Sequence, residues 1–363
     1  GFGGDSLRGD SQVHLNPVPT RYMAFLSHPH TNTPEHPLFC GILANTLLST
    51  VPGLSGAGPG PQGSLMVPNL DAELIIQGKI TSCDATPNTV TGCPTPASIT
   101  RSMAELAGFP VLFLNAGLTH RLVVPCLDMG GSPGRDPRYG QAVPEAGKLF
   151  SQGRWAGEFF SKTYDTLVIG ECVPGGTTTA LCVLRALGYD ARVSSAAVKN
   201  PSWLKEEIAA DVLRRLEDIP DLDPISVIRE TGDPMMAVAA GIISSYTGKV
   251  YLAGGTQMLA VAAVIARMGL VVPEVITTVY VSDDPAANAI ELAGQIGVPL
   301  TAVDPDFGSI AHSGLVRYCI GEVKEGMGAG GAMFLAHLMG HDLPAITRTI
   351  LRFVTTYCPS KPL

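Results

Sequence analysis

LVIGECVPGGTTTALCVL (167–184) and VYLAGGTQMLAVAAVI (250–265) carry one pattern twice. Each opens with a short apolar run, turns on Gly-Gly-Thr, and continues as an Ala- and Leu-rich helix. A strand that is apolar at every position is covered on both faces. Such strands alternating with helices belong to a parallel sheet. The same alternation extends outward from these stretches. Strands are expected at 72–78, 111–114, 166–170, 250–253, 275–281 and 300–303. Helices are expected at 97–106, 146–162, 178–187, 202–216, 235–245, 257–268, 286–296, 330–339 and 345–355. The expected fold class is α/β, doubly wound, with a mostly parallel sheet, helices on both faces, and a small helical subdomain from the chain ends. In such sheets ligands sit beyond the carboxyl ends of the strands, so the turns after each strand are the places to search.

The bulk composition bounds the function. The chain has 363 residues, long enough for one large domain or two at roughly 150 residues each. Only 15% are charged against 45% hydrophobic, which favours a homo-oligomer that hides part of the surface. Net charge is −8 and no basic stripe stands out, which argues against a nucleic-acid partner. A phosphate ligand would then be held by backbone amides and a few side chains. The 8 cysteines are scattered without a CxxC pair, as reduced thiols in a cytoplasmic protein would be. A Cys83–Cys93 pair closing a Pro/Thr-rich loop is the alternative. The apolar stretch 250–266 is interrupted by Gly254, Gly255 and Gln257 and falls short of the ~20 residues of a membrane span. It reads as a buried strand and helix, with no membrane role. Residues 1–36 read as a flexible arm outside the fold. Residues 37–340 are expected to form the α/β domain, and 341–363 a C-terminal helix packed with the helical subdomain.

Glycines let a backbone approach a ligand closely, and the free N–H groups of the following helix attract anions. Gly175, Gly176, Thr177 and Thr178 in the first turn, and Gly254, Gly255 and Thr256 in the second, are candidate substrate-binding residues. The plainer alternative is that glycine simply turns the chain. EGMGAGG (325–331) satisfies G-x-G-x-x-G, but 32 residues remain after it and they read as two helices without the second strand of a dinucleotide fold. No Gly-Lys is followed by Ser or Thr, so no Walker A loop exists. Three acids lie where a parallel-sheet enzyme places ligand-facing groups. Glu171 follows a strand, Asp233 follows Gly232 at a helix start, and Glu325 precedes the Gly-rich run. Asp233 also fits a plain N-cap, and Glu325 a solvated acid at a helix N-terminus.

GECVPGGTTTALCVLRALGYDA (170–191), TGDPMMAVAAGI (231–242), LAGGTQMLAVAAVIA (252–266) and VKEGMGAGGAMF (323–334) together resemble the nicotinate-nucleotide:dimethylbenzimidazole phosphoribosyltransferase family. The resemblance is stronger to its divergent branch in archaea and cyanobacteria. PGLSGAG (52–58), PTPASITR (94–101) and LDMGGSPGRD (127–136) add to it, and it covers roughly residues 40–340. The resemblance implies a doubly wound domain, a small helical domain from both chain ends, and a homodimer. It implies transfer of the 5-phosphoribosyl group from nicotinate mononucleotide to a nitrogen base, giving an α-riboside phosphate for the lower ligand of cobamides. It implies Glu325 as the catalytic base, with Gly326 and Gly328 beside the substrate, and no cofactor or metal. The first Gly loop departs from that of bacterial members, and no Lys-Pro-Pro-Gly-like turn is visible. The acceptor is therefore open between a dimethylbenzimidazole-like base and adenine.

His28, His30 and His36 lack a third ligand type nearby, as do His337 and His341, so no metal site is expected. His312 and Arg317 precede Glu325 and could reach a phosphate or be surface groups. Two other functions remain compatible with the same residues: a nucleotide hydrolase, in which water replaces the base, and a non-catalytic nucleotide sensor.

Overall fold

The computed structural model describes residues 24–55, 60–192 and 202–360. Residues 1–23 of the expected arm and the end of PGLSGAG lie outside them. Seven strands form one all-parallel sheet: β1 (Pro37–Ala44), β2 (Val111–Gly117), β3 (Leu127–Asp128), β4 (Thr166–Cys172), β5 (Lys249–Ala253), β6 (Glu274–Thr278) and β7 (Leu300–Val303). Their spatial order is β3-β2-β1-β4-β5-β6-β7. The chain winds outward from β1 to β3, returns to lay β4 beside β1, and winds the other way to β7. The winding reverses between β1 and β4, where Gly41 pairs with Gly170 and Ile42 with Glu171.

Alternation along the strands divides the core. Leu38, Cys40, Ile42, Leu167, Ile169 and Leu252 face one side. There they meet α4 (Ala146–Phe160), α5 (Gly176–Ala186), α6 (Ser202–Leu216), α7 (Pro224–Thr231), α8 (Pro234–Ser245), α9 (Thr256–Arg267) and α11 (Ala289–Ile296). Phe39, Val168, Tyr251, Ala253 and Ile276 face the other side, towards α3 (Pro96–Ala107), α12 (Ala329–Leu338) and α13 (Leu343–Thr355). α13 packs on both α3 and α12. The low charge of the chain follows from helices buried all round: Pro234 to Ile243 of α8 are buried at every position. α8 meets α4 backbone to backbone, because a Cβ on Gly241 would lie 2.1 Å from the Phe150 carbonyl oxygen. Among the described residues no helix is long and apolar enough to cross a membrane. All 8 cysteines are free, so the alternative Cys83–Cys93 bridge is not formed.

Three expectations change. The stretch 72–78 is not a strand but the end of α2 (Val67–Gln77), which follows the short α1 (Gly60–Ser64). Pro68 sits in the first turn of α2 and Gly78 closes it at φ +76°, with its N–H on the Leu74 carbonyl at 2.8 Å. These end signals outweigh the β-branched Ile75–Ile76 pair. The apolar run at 275–281 is a strand only to Thr278, then one helical turn, α10 (Val279–Ser282). Residues 24–36 do not hang free. Leu26 bridges Val303, Ser27 N–H donates to the Ala302 carbonyl at 2.9 Å, and His30 Nε2 meets Glu274 at 2.9 Å.

Candidate active site

Open parallel sheets bind ligands where the winding reverses, beyond the carboxyl ends of the strands. Here that edge carries Glu171, the penultimate residue of β4, with 5% of its surface exposed. Because every strand is parallel, the turns into α5 and α9 open on this same edge.

The run EGMGAGG crosses the edge as a strap. Met327 N–H donates to the Glu171 carbonyl at 3.1 Å, and the Thr100 hydroxyl donates to the Met327 carbonyl at 3.0 Å. Met327 and Gly328 hold φ of +49° and +68°. Only glycine fits at 328, because a Cβ there would lie 3.0 Å from Gly170 Cα and 2.9 Å from Phe39 Cζ. The strap therefore lies directly against β4 and delivers Glu325 to the N-terminus of α12. The Glu325 carboxylate accepts from Gly326 N–H at 3.0 Å and from Gly330 N–H at 3.1 Å. Pro96 closes over Gly326, 3.1 Å from where that glycine would carry a Cβ.

Three acids gather around the reversal point, and two of them act on the third. Burial raises Glu171 to about 8, and the charges of Asp233 and Glu325 push the same way. Burial raises Glu325 to about 7 against the pull of the amides of Gly326, Gly330 and Ala329. Asp233 is fully buried and rises to about 6, held back by the Thr179 hydroxyl, which donates to it at 2.6 Å. Its second oxygen faces Met236 N–H at 3.4 Å, the N-cap of α8. Asp233 is thus both the expected cap and a member of the acid cluster. At neutral pH burial holds Glu171 as the acid, while Glu325 stands near the midpoint of its titration. Neighbouring carboxyls that burial raises in this way are candidates for exchanging protons with a ligand.

The two glycine turns hold their amides differently from expectation. Gly176 N–H is taken by the Val173 carbonyl at 2.8 Å and Gly254 N–H by the Ile276 carbonyl at 2.9 Å. Thr178 N–H bonds the Gly175 carbonyl at 3.1 Å, and the buried Thr178 hydroxyl finds no partner among the described residues. Capacity for an anion falls to the next amides in line, at Thr177, Gly255 and Thr256. Gly232 ends α7, its N–H on the Ile228 carbonyl at 2.9 Å, and serves the backbone.

A buried lysine completes the α5 turn. Lys205, only 2% exposed, donates from Nζ to the Thr177 hydroxyl at 2.8 Å. Burial lowers it to about 7, with Lys324 pushing the same way and Asp284 opposing. Lys324, the neighbour of Glu325, pairs with Asp284 at 2.8 Å. Sequence reading missed Lys205, although a signal existed. With Ile208, Ala209 and Val212 it lies on the buried stripe of α6, at i, i+3, i+4 and i+7. A lysine on such a stripe is rare without a task.

His312 and Arg317 do not reach this edge. His312 Nε2 bonds the Cys358 carbonyl at 2.7 Å, and Arg317 pairs with Glu322 at 2.5 Å. Among the described residues no group of three His, Cys, Asp or Glu is placed to hold a metal ion.

The fold defines a class first. The structure superposes on a nicotinate-nucleotide-dimethylbenzimidazole phosphoribosyltransferase from Thermus thermophilus with a TM-score of 0.57. The match is 18% identical and covers 92% of this chain and 88% of that one. The structure of CobT from the same organism gives a TM-score of 0.56 at 16% identity, covering 90% and 87%. This chain therefore has the phosphoribosyltransferase-type α/β fold. Its own family is closer in sequence. It is 43% identical over 309 residues to a UPF0284 protein of Thermococcus gammatolerans, covering 82% of this chain and 92% of that protein. It is 40% identical over 332 residues to one from Methanosarcina mazei, covering 88% and 94%. The chain belongs to the UPF0284 protein family. A scan against family models finds no match.

Proposed function

We propose that this protein transfers the 5-phosphoribosyl group of nicotinate mononucleotide to a nitrogen base, in the cytoplasm and as a homodimer, making an α-riboside phosphate for a cobamide lower ligand. The observation that carries the reading is that Glu325 lies close enough to Glu171 at the reversal point for its charge to act on it, beside a helix N-terminus that holds a buried lysine. The 5-phosphate fits the amides of Thr177, Gly255 and Thr256 with Lys205. Nicotinate is a good leaving group because its ring nitrogen is cationic in the mononucleotide. The C1′–N bond breaks with its electron pair going to that nitrogen, while a lone pair of the base forms the new C1′–N bond. The proton shed by the base goes to the Glu325 carboxylate. The Glu325 carboxylate favours the positive charge that develops on ribose and base, and Glu171 in its acid form can donate to a ribose oxygen.

Purified protein, nicotinate mononucleotide and a panel of bases, with products read by mass, tests the reading. A new riboside phosphate is expected. Free ribose 5-phosphate alone would make the protein a hydrolase, and an untouched mononucleotide would make it a sensor. Sedimentation velocity measures the homodimer.

A further inference from the structure

The strap that carries Glu325 is pinned on both sides of that residue by hydroxyls from distant parts of the chain. Upstream, the Thr278 hydroxyl donates to the Lys324 carbonyl at 2.5 Å. Downstream, the Thr100 hydroxyl donates to the Met327 carbonyl at 3.0 Å, and Met327 N–H is held by the Glu171 carbonyl at 3.1 Å. Thr100, Thr278, Lys324 and Met327 are all buried. Glu325 and Gly326, between them, keep part of their surface open. Two fixed points thus frame the acid and the glycine that follows it.

Each threonine forgoes a local bond for this contact. Thr278 ends β6 and stands at the N-cap of α10, with φ −95° and ψ 158°, where a threonine oxygen ordinarily accepts from its own helix. It makes no such bond. Thr100 lies inside α3, where a hydroxyl ordinarily returns to the carbonyl four residues back, as Ser102 does to Ser98 at 2.7 Å. Its hydroxyl turns instead to Met327, 227 residues further along the chain.

The backbone between these points also needs holding. Met327 has φ +49°, a conformation that residues with a side chain resist. Such a residue persists where its surroundings over-determine it. Here its amide and carbonyl are bonded and its side chain is buried with Leu43 and Phe113. Lys324 is fixed as fully, its carbonyl by Thr278 and its ammonium by Asp284 at 2.8 Å. A general base must stand within hydrogen-bond reach of the proton it takes, and small displacements of such a group are costly to rate.

We infer that Thr278 and Thr100 are positioning residues for Glu325, fixing the backbone on either side of it so that its carboxylate meets the acceptor base at one distance. The inference rests on the role given to Glu325 above.

The test places Thr278→Val, which keeps the shape and removes the hydroxyl, in the unaltered protein and in Glu325→Gln. With nicotinate mononucleotide and an acceptor base, Thr278→Val should lower kcat about 10- to 100-fold while KM for the mononucleotide stays within about threefold. Thr278→Ser keeps the donor and should hold kcat within about threefold of the unaltered protein. In Glu325→Gln, where no base remains to be positioned, adding Thr278→Val should lower kcat by less than about twofold. Thr100→Val should repeat this pattern from the other side. An undiminished kcat in Thr278→Val overturns the inference. So does a loss confined to KM, a loss that Thr278→Ser shares, or a loss as large in Glu325→Gln as without it. If Thr278→Val does not fold, Thr100→Val is held to the same outcomes. If neither folds, the two bonds serve stability and the inference is overturned. In each of these cases Glu325→Gln alone remains slow and the role of Glu325 stands. Near-normal turnover in Glu325→Gln, or no riboside phosphate from any base, removes that role and the inference with it.

Discussion

The two Gly-Gly-Thr turns are spelled alike and built differently. In the first, Gly175 adopts φ +79° as the N-cap of α5, and a Cβ there would meet Ser49 N at 3.0 Å and Thr46 Cγ2 at 3.1 Å. In the second, Gly255 has φ −102°, and a Cβ would meet only Val281, at 3.5 Å. Thr177 of the first turn receives a buried lysine, while the Thr256 hydroxyl faces its neighbour Gln257 at 3.4 Å. Gly254 instead forms the wall beside Glu171, whose Oε1 would lie 3.8 Å from its Cβ. One motif thus supplies charge and the other supplies room. What differs is the partner each turn meets from a distant part of the chain.

The largest expected effect tests whether either turn matters without the strap. Glu325→Gln keeps the shape of the side chain and removes its basicity, so turnover should fall about 10²- to 10⁴-fold with mononucleotide binding kept. The pH profile sharpens this. With Glu325 raised to about 7, its carboxylate fraction grows as pH rises, so the rate should climb through pH 7 and level off above. The variant should lose that limb. If Glu171→Gln abolishes turnover while Glu325→Gln leaves it near normal, the two roles are reversed.

Next in size is the charge of the first turn. Lys205→Met should raise KM for the mononucleotide by about 10- to 100-fold, the worth of a charge-assisted hydrogen bond, with a smaller change in kcat. Thr256→Val in the second turn should change KM far less. Equal effects would erase the distinction drawn between the turns.

The backbone contrast predicts a smaller, structural effect. Gly175→Ala places a side chain at positive φ and should cost about 1–2 kcal/mol in urea unfolding. Gly255→Ala, with ordinary van der Waals contact and negative φ, should cost less. The reverse order would show that the second turn is the strained one.

A separate contrast is read in stability against pH. Glu171 has a folded pKa of about 8 against 4.5 unfolded, so the folded protein binds the extra proton between these values. Its contribution is fully present below pH 4.5 and is lost as pH rises through 8. The melting temperature of the ligand-free protein should therefore decline over that range, and decline less in Glu171→Gln. An identical decline in both would place the cause elsewhere.

The sequence by itself determined the parallel α/β class, because short strands buried on both faces leave an apolar signature that polar surfaces cannot mimic. It also placed Glu171 and the two glycine turns on one edge, since in a parallel sheet every strand ends on the same side, whereas Glu325 reaches that edge through the tertiary contact of its strap with β4. It did not yield β1, the strand beside the central β4. PLFCGILA begins with proline and carries Gly41 mid-strand, both poor strand formers alone. Gly41 is there because a Cβ would strike Phe113 of the neighbouring strand at 2.5 Å, a reason visible only once β2 lies alongside. Likewise 72–78 reads as a strand from its β-branched residues, and its helix is decided by end signals and by burial against α3. Thr177 with Lys205, Thr179 with Asp233, and Asp71 with Cys172 meet across 28, 54 and 101 residues of chain. No local pattern encodes such pairs. They form because the winding of the sheet brings both crossovers to the same point, where burial shifts the titration of the acids and the lysine alike.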